Sequence, residues 1–166
     1  VLTAFVLAFP SVHAQDNNKA GTTAAQFLKI GIGARSMGMG GAVVGLTNDV
    51  SAMYWNPSGL TGVHSMTILA THTNWFADIT HQYFGVVFPV GDDHRLGINA
   101  TLLNLGEMEV TTEEQPRGTG DFFKASDVAV GLSYAARLVE FFSFGATVKY
   151  ITQNIANESA SGVGFD

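Results

Sequence analysis

Three things are missing from this sequence. It has no cysteine, no cluster of basic residues and, past its first ten residues, no apolar stretch near the ~20 residues that a membrane-crossing helix needs. The lack of cysteine is compatible with any compartment. The lack of basic clusters, with Lys and Arg totalling 8 against 14 Asp and Glu and a net charge of −6, argues against a nucleic-acid partner. The lack of long apolar runs matters because hydrophobic residues still reach 46% while charged ones are only 13%. An alternating in/out sheet produces that combination, in a membrane barrel or in a soluble β protein.

Catalytic patterns are also lacking. Gly31-x-Gly33 begins like a dinucleotide fingerprint, but Ser36 stands at its sixth position and no hydrophobic strand precedes it. No Lys-Ser/Thr pair follows a glycine loop, and no Gly-x-Ser-x-Gly elbow exists. The histidines at 13, 64, 72, 81 and 94 lack metal-site spacing. His72 and His81 are placed to oppose each other across a hairpin, without a carboxylate or thiolate beside them. Glu113 and Glu114 are adjacent, so in an extended loop their side chains point apart, which does not suit a glycosidase pair. These readings predict a protein that is not an enzyme and needs no cofactor or metal.

What the sequence does have is glycine in one place. Residues 31–60 carry it at 31, 33, 38, 40, 41, 45 and 59, with only Arg35 and Asp49 charged. Such a stretch suits backbone pressed closely against something else, or turning where φ is positive. Asn48-Asp49 supplies an N-cap for a short helix ending at Trp55. Asn56-Pro57-Ser58-Gly59 stops it, because Pro57 biases Asn56 out of the α region and Gly59 permits a tight reversal.

Two runs within this stretch, Gly33-Ala34-Arg35-Ser36-Met37-Gly38-Met39-Gly40-Gly41-Ala42 and Asp49-Val50-Ser51-Ala52-Met53-Tyr54-Trp55-Asn56-Pro57-Ser58-Gly59-Leu60, closely resemble the N-terminal segment of FadL-like outer-membrane proteins. The resemblance is closest to the PorV/PorQ family of type IX secretion. It implies a hatch inside the mouth of a membrane β-barrel, built by Gly33, Arg35, Gly38, Gly40, Gly41, Asp49, Trp55, Asn56, Pro57 and Gly59. A bulky residue at Gly40 should then keep the hatch from seating.

Val1 to Ala14 reads as the apolar core and cleavage site of a signal peptide, broken by Pro10, with Val12 and Ala14 as small residues at −3 and −1. Without an initiator Met or basic start, the sequence is expected to begin inside that peptide, and cleavage would leave Gln15 first. After a polar stretch, Thr22 or Thr23 is predicted to cap a helix over 24–30, with Phe27 and Ile30 on one face.

From Ser65 onward the period is two. Over 127–138, Val128, Val130, Leu132, Tyr134, Ala136 and Leu138 alternate with Asp127, Ala129, Gly131, Ser133, Ala135 and Arg137. Over 142–153, Phe142, Phe144, Ala146, Val148 and Tyr150 oppose Ser143, Gly145, Thr147, Lys149 and Gln153. Over 95–105, Leu96, Ile98, Ala100 and Leu102 oppose Arg95, Gly97, Asn99 and Thr101. Every charge lies on the small, polar face, as a lipid-facing sheet demands. Phe142, Tyr150 and Tyr134 stand where aromatic girdles sit. Strands are also predicted at 66–76 and 80–90, the second covered on both faces as though lying against the hatch.

Tight turns at 91–94 and 139–141 alternate with long polar connections at 106–126 and 154–162, the pattern of outer-membrane hairpins. The short connection near 77–79 is an exception. The predicted organisation is a signal peptide at 1–14, a hatch at 15–64, and the first five or so strands of a barrel at 65–166. Single-chain barrels close with at least about eight strands, so the fold class is all-β, the N-terminal part of a transmembrane antiparallel barrel. The resemblance implies a fourteen-stranded barrel in the bacterial outer membrane that does no chemistry. It implies a role in binding the C-terminal domains of secreted cargo or anchoring surface attachment machinery. The alternative it leaves open is a FadL-type channel for long-chain fatty acids or other hydrophobic compounds. Its partners would be outer-membrane lipid and cargo or secretion-system components, and in the channel case a hydrophobic small molecule.

Overall fold

The two-residue period becomes a meander. The computed structural model describes residues 24–156 and 158–166. The strands are β1 (Thr67–Asn74), β2 (Thr80–Val90), β3 (His94–Glu109), β4 (Phe122–Val139), β5 (Phe142–Ile155) and β6 (Glu158–Phe165). They form one antiparallel sheet in sequence order. The expected signal peptide, its cleavage point and the Thr22 or Thr23 cap lie outside the described residues.

Registry sorts side chains strictly by face. Ile98 pairs with Leu132, which pairs with Val148, and beyond it stands Phe165. Val87, Gly97, Ser133 and Thr147 make a neighbouring row on the opposite face. The burial of these rows is the reverse of a water-soluble protein. Leu132 is 57% exposed and Ile98 49%, whereas Ser133 is 0% exposed, Thr147 1% and Arg95 3%. Ser133 and Thr147 hydroxyls bond each other at 2.7 Å, so their burial costs no unmet hydrogen bond. On β4 the outward positions from Val128 to Leu138 are all apolar. At about 3.4 Å per residue that run is about 34 Å long.

The N-terminal segment covers the polar face. It contains a 3₁₀ helix (Gln26–Lys29), α1 (Ala34–Gly38), α2 (Ala52–Trp55) and a second 3₁₀ helix (Pro57–Gly62). Val50, Ala52, Met53, Leu60 and Val63 from this segment form one buried cluster with Val87 and Ala135 of the sheet. The core therefore lies between segment and sheet, on the side that carries the glycines.

Several expectations are corrected here. The predicted 24–30 helix is only the four-residue 3₁₀ helix, because Ala25 takes a left-handed φ of 56° and carries no side-chain cap. Phe27 is buried but Ile30 only partly so. β2 is covered on one face only: His81, Tyr83, Gly85 and Val87 are buried, while Phe84 and Phe88 share the exposed side with the other strands' apolar residues. The 106–126 connection shrinks to 110–121, because β3 and β4 continue past a bulge between Leu105 and Met108, where Met108 pairs with Phe123 and Glu109 with Phe122. The 154–162 loop is a strand: backbone pairing of Asn154 with Ser159 and Ile151 with Gly162 needs no apolar alternation. Six strands replace five, and the alternation of short and long connections does not extend to this hairpin. His72 and His81 occupy adjacent registers on opposite faces, His72 exposed and His81 buried, so they do not meet.

Candidate functional site

The residues singled out in the sequence meet at the contact between the N-terminal segment and the sheet. Asp49 begins it. Its carboxylate Oδ1 accepts from the Ser51 backbone N–H at 2.8 Å and from the Ser51 hydroxyl, which turns the chain into α2. The N-cap of α2 is Ser51, without a side-chain cap, so the expected Asn48-Asp49 cap is corrected; the Asn48 Cβ lies beside Gly62. Asn56 is extended, with φ −165° and ψ 99°, as expected before Pro57. Its Oδ1 accepts from the Ser58 N–H and hydroxyl, and its Nδ2 donates to the Val44 carbonyl at 2.9 Å.

The glycines divide by what they do. Gly59 makes no reversal; a Cβ there would stand 2.1 Å from the Thr47 carbonyl oxygen, so it is required by close approach. Gly33, Gly40 and Gly41 have φ of 81°, 64° and 77°. A Cβ at Gly40 or Gly38 would meet nothing within 4 Å. The demand at Gly40 is therefore conformational rather than one of room for a Cβ.

Trp55 and Tyr54 fasten the first half of the segment to the second. The Trp55 indole N–H donates to the Ile32 carbonyl at 3.2 Å, and its ring lies against Gly31 and Gly41. The Tyr54 hydroxyl donates to the Leu28 carbonyl at 2.9 Å. Burial, with the Asp166 carboxylate nearby, pushes this phenol above its ordinary range and keeps it a donor. Arg35, by contrast, is exposed on α1. Trp55→Ala removes one hydrogen bond and the ring contact, a loss of about 2–3 kcal/mol for a half-buried tryptophan. Trypsin should then cut after Arg35 several-fold faster than in the wild type, as read by limited proteolysis in detergent.

On the sheet side, the receiving surface was missed by sequence reasoning. Met53 lies in a notch between Gly85 and Gly97: a Cβ at Gly97 would be 2.4 Å from its sulfur, and one at Gly85 2.7 Å from its methyl. The Asn99 amide reaches the same sulfur at 3.6 Å. Gly145 lets the segment's backbone touch β5, since a Cβ there would be 2.2 Å from the Ser58 nitrogen and 2.3 Å from the Pro57 carbonyl carbon. Glycines at inward positions of successive strands are the signal that could have revealed this seat.

Two arginines complete it. Arg95, buried on β3, donates to the carbonyls of Val63, Gly91, Asp92 and His94, so its charge is satisfied by backbone dipoles rather than by a carboxylate. Arg137 donates to the Thr61 carbonyl at 3.3 Å, and Thr61 bonds Ser143 of β5 at 3.1 Å. Glu113 and Glu114 lie far along the chain from this contact, exposed in the 110–121 loop. What the described residues form here is a close fit of backbone and side chains between segment and sheet.

Among known proteins, a family model described as type IX secretion system protein PorV matches residues 13–164. No curated protein matches the chain.

Proposed function

Because the chain belongs to the PorV family of type IX secretion system proteins, we propose that it is part of an outer-membrane β-barrel serving as a docking platform in that export route. In this reading the exposed apolar face meets lipid, further strands close the edges of β1 and β6, and the hatch at 15–64 stoppers the lumen. An open edge in hydrocarbon would cost several kcal/mol per unpaired backbone group, so edge closure is a condition of the membrane reading. The barrel binds the C-terminal domains of secreted cargo or anchors surface attachment machinery, without catalysis. The β3–β4 arm around residues 106–126, which carries Glu107, Glu109, Glu113, Glu114 and Asp121, is the surface offered to such a partner.

The observation that supports a platform over a FadL-type channel is the interlock of Met53 and Pro57 with Gly85, Gly97 and Gly145. A hydrophobic molecule crossing the lumen would have to displace a segment whose backbone already rests on β5. Affinity purification of the full-length protein from its native membrane discriminates the two. Recovery of secreted proteins bearing intact C-terminal domains, lost when residues 110–121 are replaced by a Gly-Ser turn, is the expected result. Recovery of bound fatty acid or aromatic compound without cargo would overturn the platform in favour of the channel.

A further inference from the structure

The edge of β1 away from β2 is unpaired among the described residues, yet it carries none of the usual protections of a free edge. Its register with β2 runs without a break from Thr67 to Asn74. Those residues include no Lys, Arg, Asp, Glu or Pro. Exposed edges are ordinarily blunted by such residues or by a bulge, because an open row of N–H and C=O groups recruits further strands. Their absence marks β1 as a strand with a second neighbour.

A cavity of about 520 Å³ lies beside that edge. One wall is four consecutive residues of β1, 70–73. Successive strand residues point to opposite faces, so an edge, not a face, presents all four to one space. Of these, Thr71 and Thr73 face inward, as do their buried register partners Tyr83 and His81. The other wall is the N-terminal segment, through Ile30, Gly31 and Met37, and Trp75, just past the end of β1, also lines the space. None of the described lining residues is charged. Met37 folds over Gly31, where a Cβ would collide with its sulfur, yet it stays 51% exposed.

We propose that the strand completing the barrel on β1 lies in this cavity and is held on its inward side by residues 30–37, so that the N-terminal segment grips the seam where the barrel closes. The inference rests on the membrane-barrel reading above and supplies the partner of the segment's first half. A strand at the usual ~4.8 Å from β1 falls where the cavity is. Four residues paired with 70–73 span about 13 Å and turn two side chains toward the segment. With Ile30, Met37 and two threonine hydroxyls around them, those two side chains are uncharged, since a charge there would meet no opposite charge. The segment is then fixed twice: on β3–β5 through Gly97 and Gly145, and at the seam through Met37.

The photo-crosslinker p-benzoylphenylalanine, placed at position 37 of the full-length protein in its native outer membrane, tests this. Irradiation should join position 37 to a strand of the same polypeptide outside residues 24–166, read by peptide mass spectrometry, with no second chain added on a denaturing gel. Hydrogen exchange of the unaltered full-length protein gives a readout that does not depend on that variant. With the edge paired, every amide of 67–74 should exchange at least about a hundredfold more slowly than those of the exposed Glu113 and Glu114. A free edge would leave alternate amides, those not bonded to β2, as fast as the loop. Fast alternate amides would overturn the seam and the barrel reading together. Protected amides with crosslinks confined to 24–166, formed with a separate polypeptide, or absent would overturn the seam alone and leave the secretion reading standing.

Discussion

Gly145→Leu should prevent the N-terminal segment from seating. The new side chain begins 2.2 Å from a backbone nitrogen at Ser58 and 2.3 Å from a carbonyl carbon at Pro57. Backbone cannot swing aside as a flexible side chain does, so the cost lies at the upper end of overpacking, about 3 kcal/mol. The full-length protein should lose the thermal stability of its compact electrophoretic band and admit small hydrophilic dyes when reconstituted in liposomes. Gly38→Ala is the matched control: a Cβ there meets nothing within 4 Å, and the residue lies in α1. Alanine should stabilise that site by up to about 1 kcal/mol. If both variants behave alike, the glycine seat is not what holds the segment.

The second large effect is expected on the other face. Leu132→Arg introduces a charge at the middle of the β4 apolar run, beside Ile98 and Val148. In a bilayer this should cost about 2–4 kcal/mol, measured by denaturant titration of the full-length protein in liposomes. Phe141→Arg, in the turn between β4 and β5, should cost at most about 1 kcal/mol. A water-facing sheet would tolerate both changes within about 0.5 kcal/mol, so equal and small effects would refute the lipid assignment.

How much of this was readable beforehand follows from which forces shape each part. The faces of β3, β4 and β5 were legible because apolar residues alternate there with small or polar ones at a period of two, and Leu132, Phe144 and Val148 are exposed as expected. The Asn56-Pro57 turn was legible because its cause is local. β6 was not, since Ser159, Ala160, Ser161 and Gly162 give no alternation and pair only through their backbones. The bulge after Leu105 was hidden for a similar reason: Phe122 and Phe123 lie among polar neighbours that resemble a loop. Half of the site was also legible. The segment's own glycines stand out in one dense run, whereas Gly85, Gly97 and Gly145 are scattered over three strands and gain meaning only when registry brings them under Met53 and Pro57.

The N-terminal segment is synthesised before the strands that receive it. Thr61 meets Ser143 across a sequence separation of 82 residues, and Pro57 leans on a glycine two residues further along. Until β5 has been delivered and paired, the Pro57–Thr61 end of the segment has no partner, and Val50, Met53 and Leu60 have only Val87 and Ala135 of the earlier strands to pack against. Nascent chains should therefore pass through a vulnerable interval whose length is governed by how quickly the fifth strand arrives, since long-range pairing is intrinsically slow. An escort protein with an affinity for greasy extended peptide would have its greatest effect during that interval, and cutting its supply should harm this protein before it harms neighbours with short-range cores.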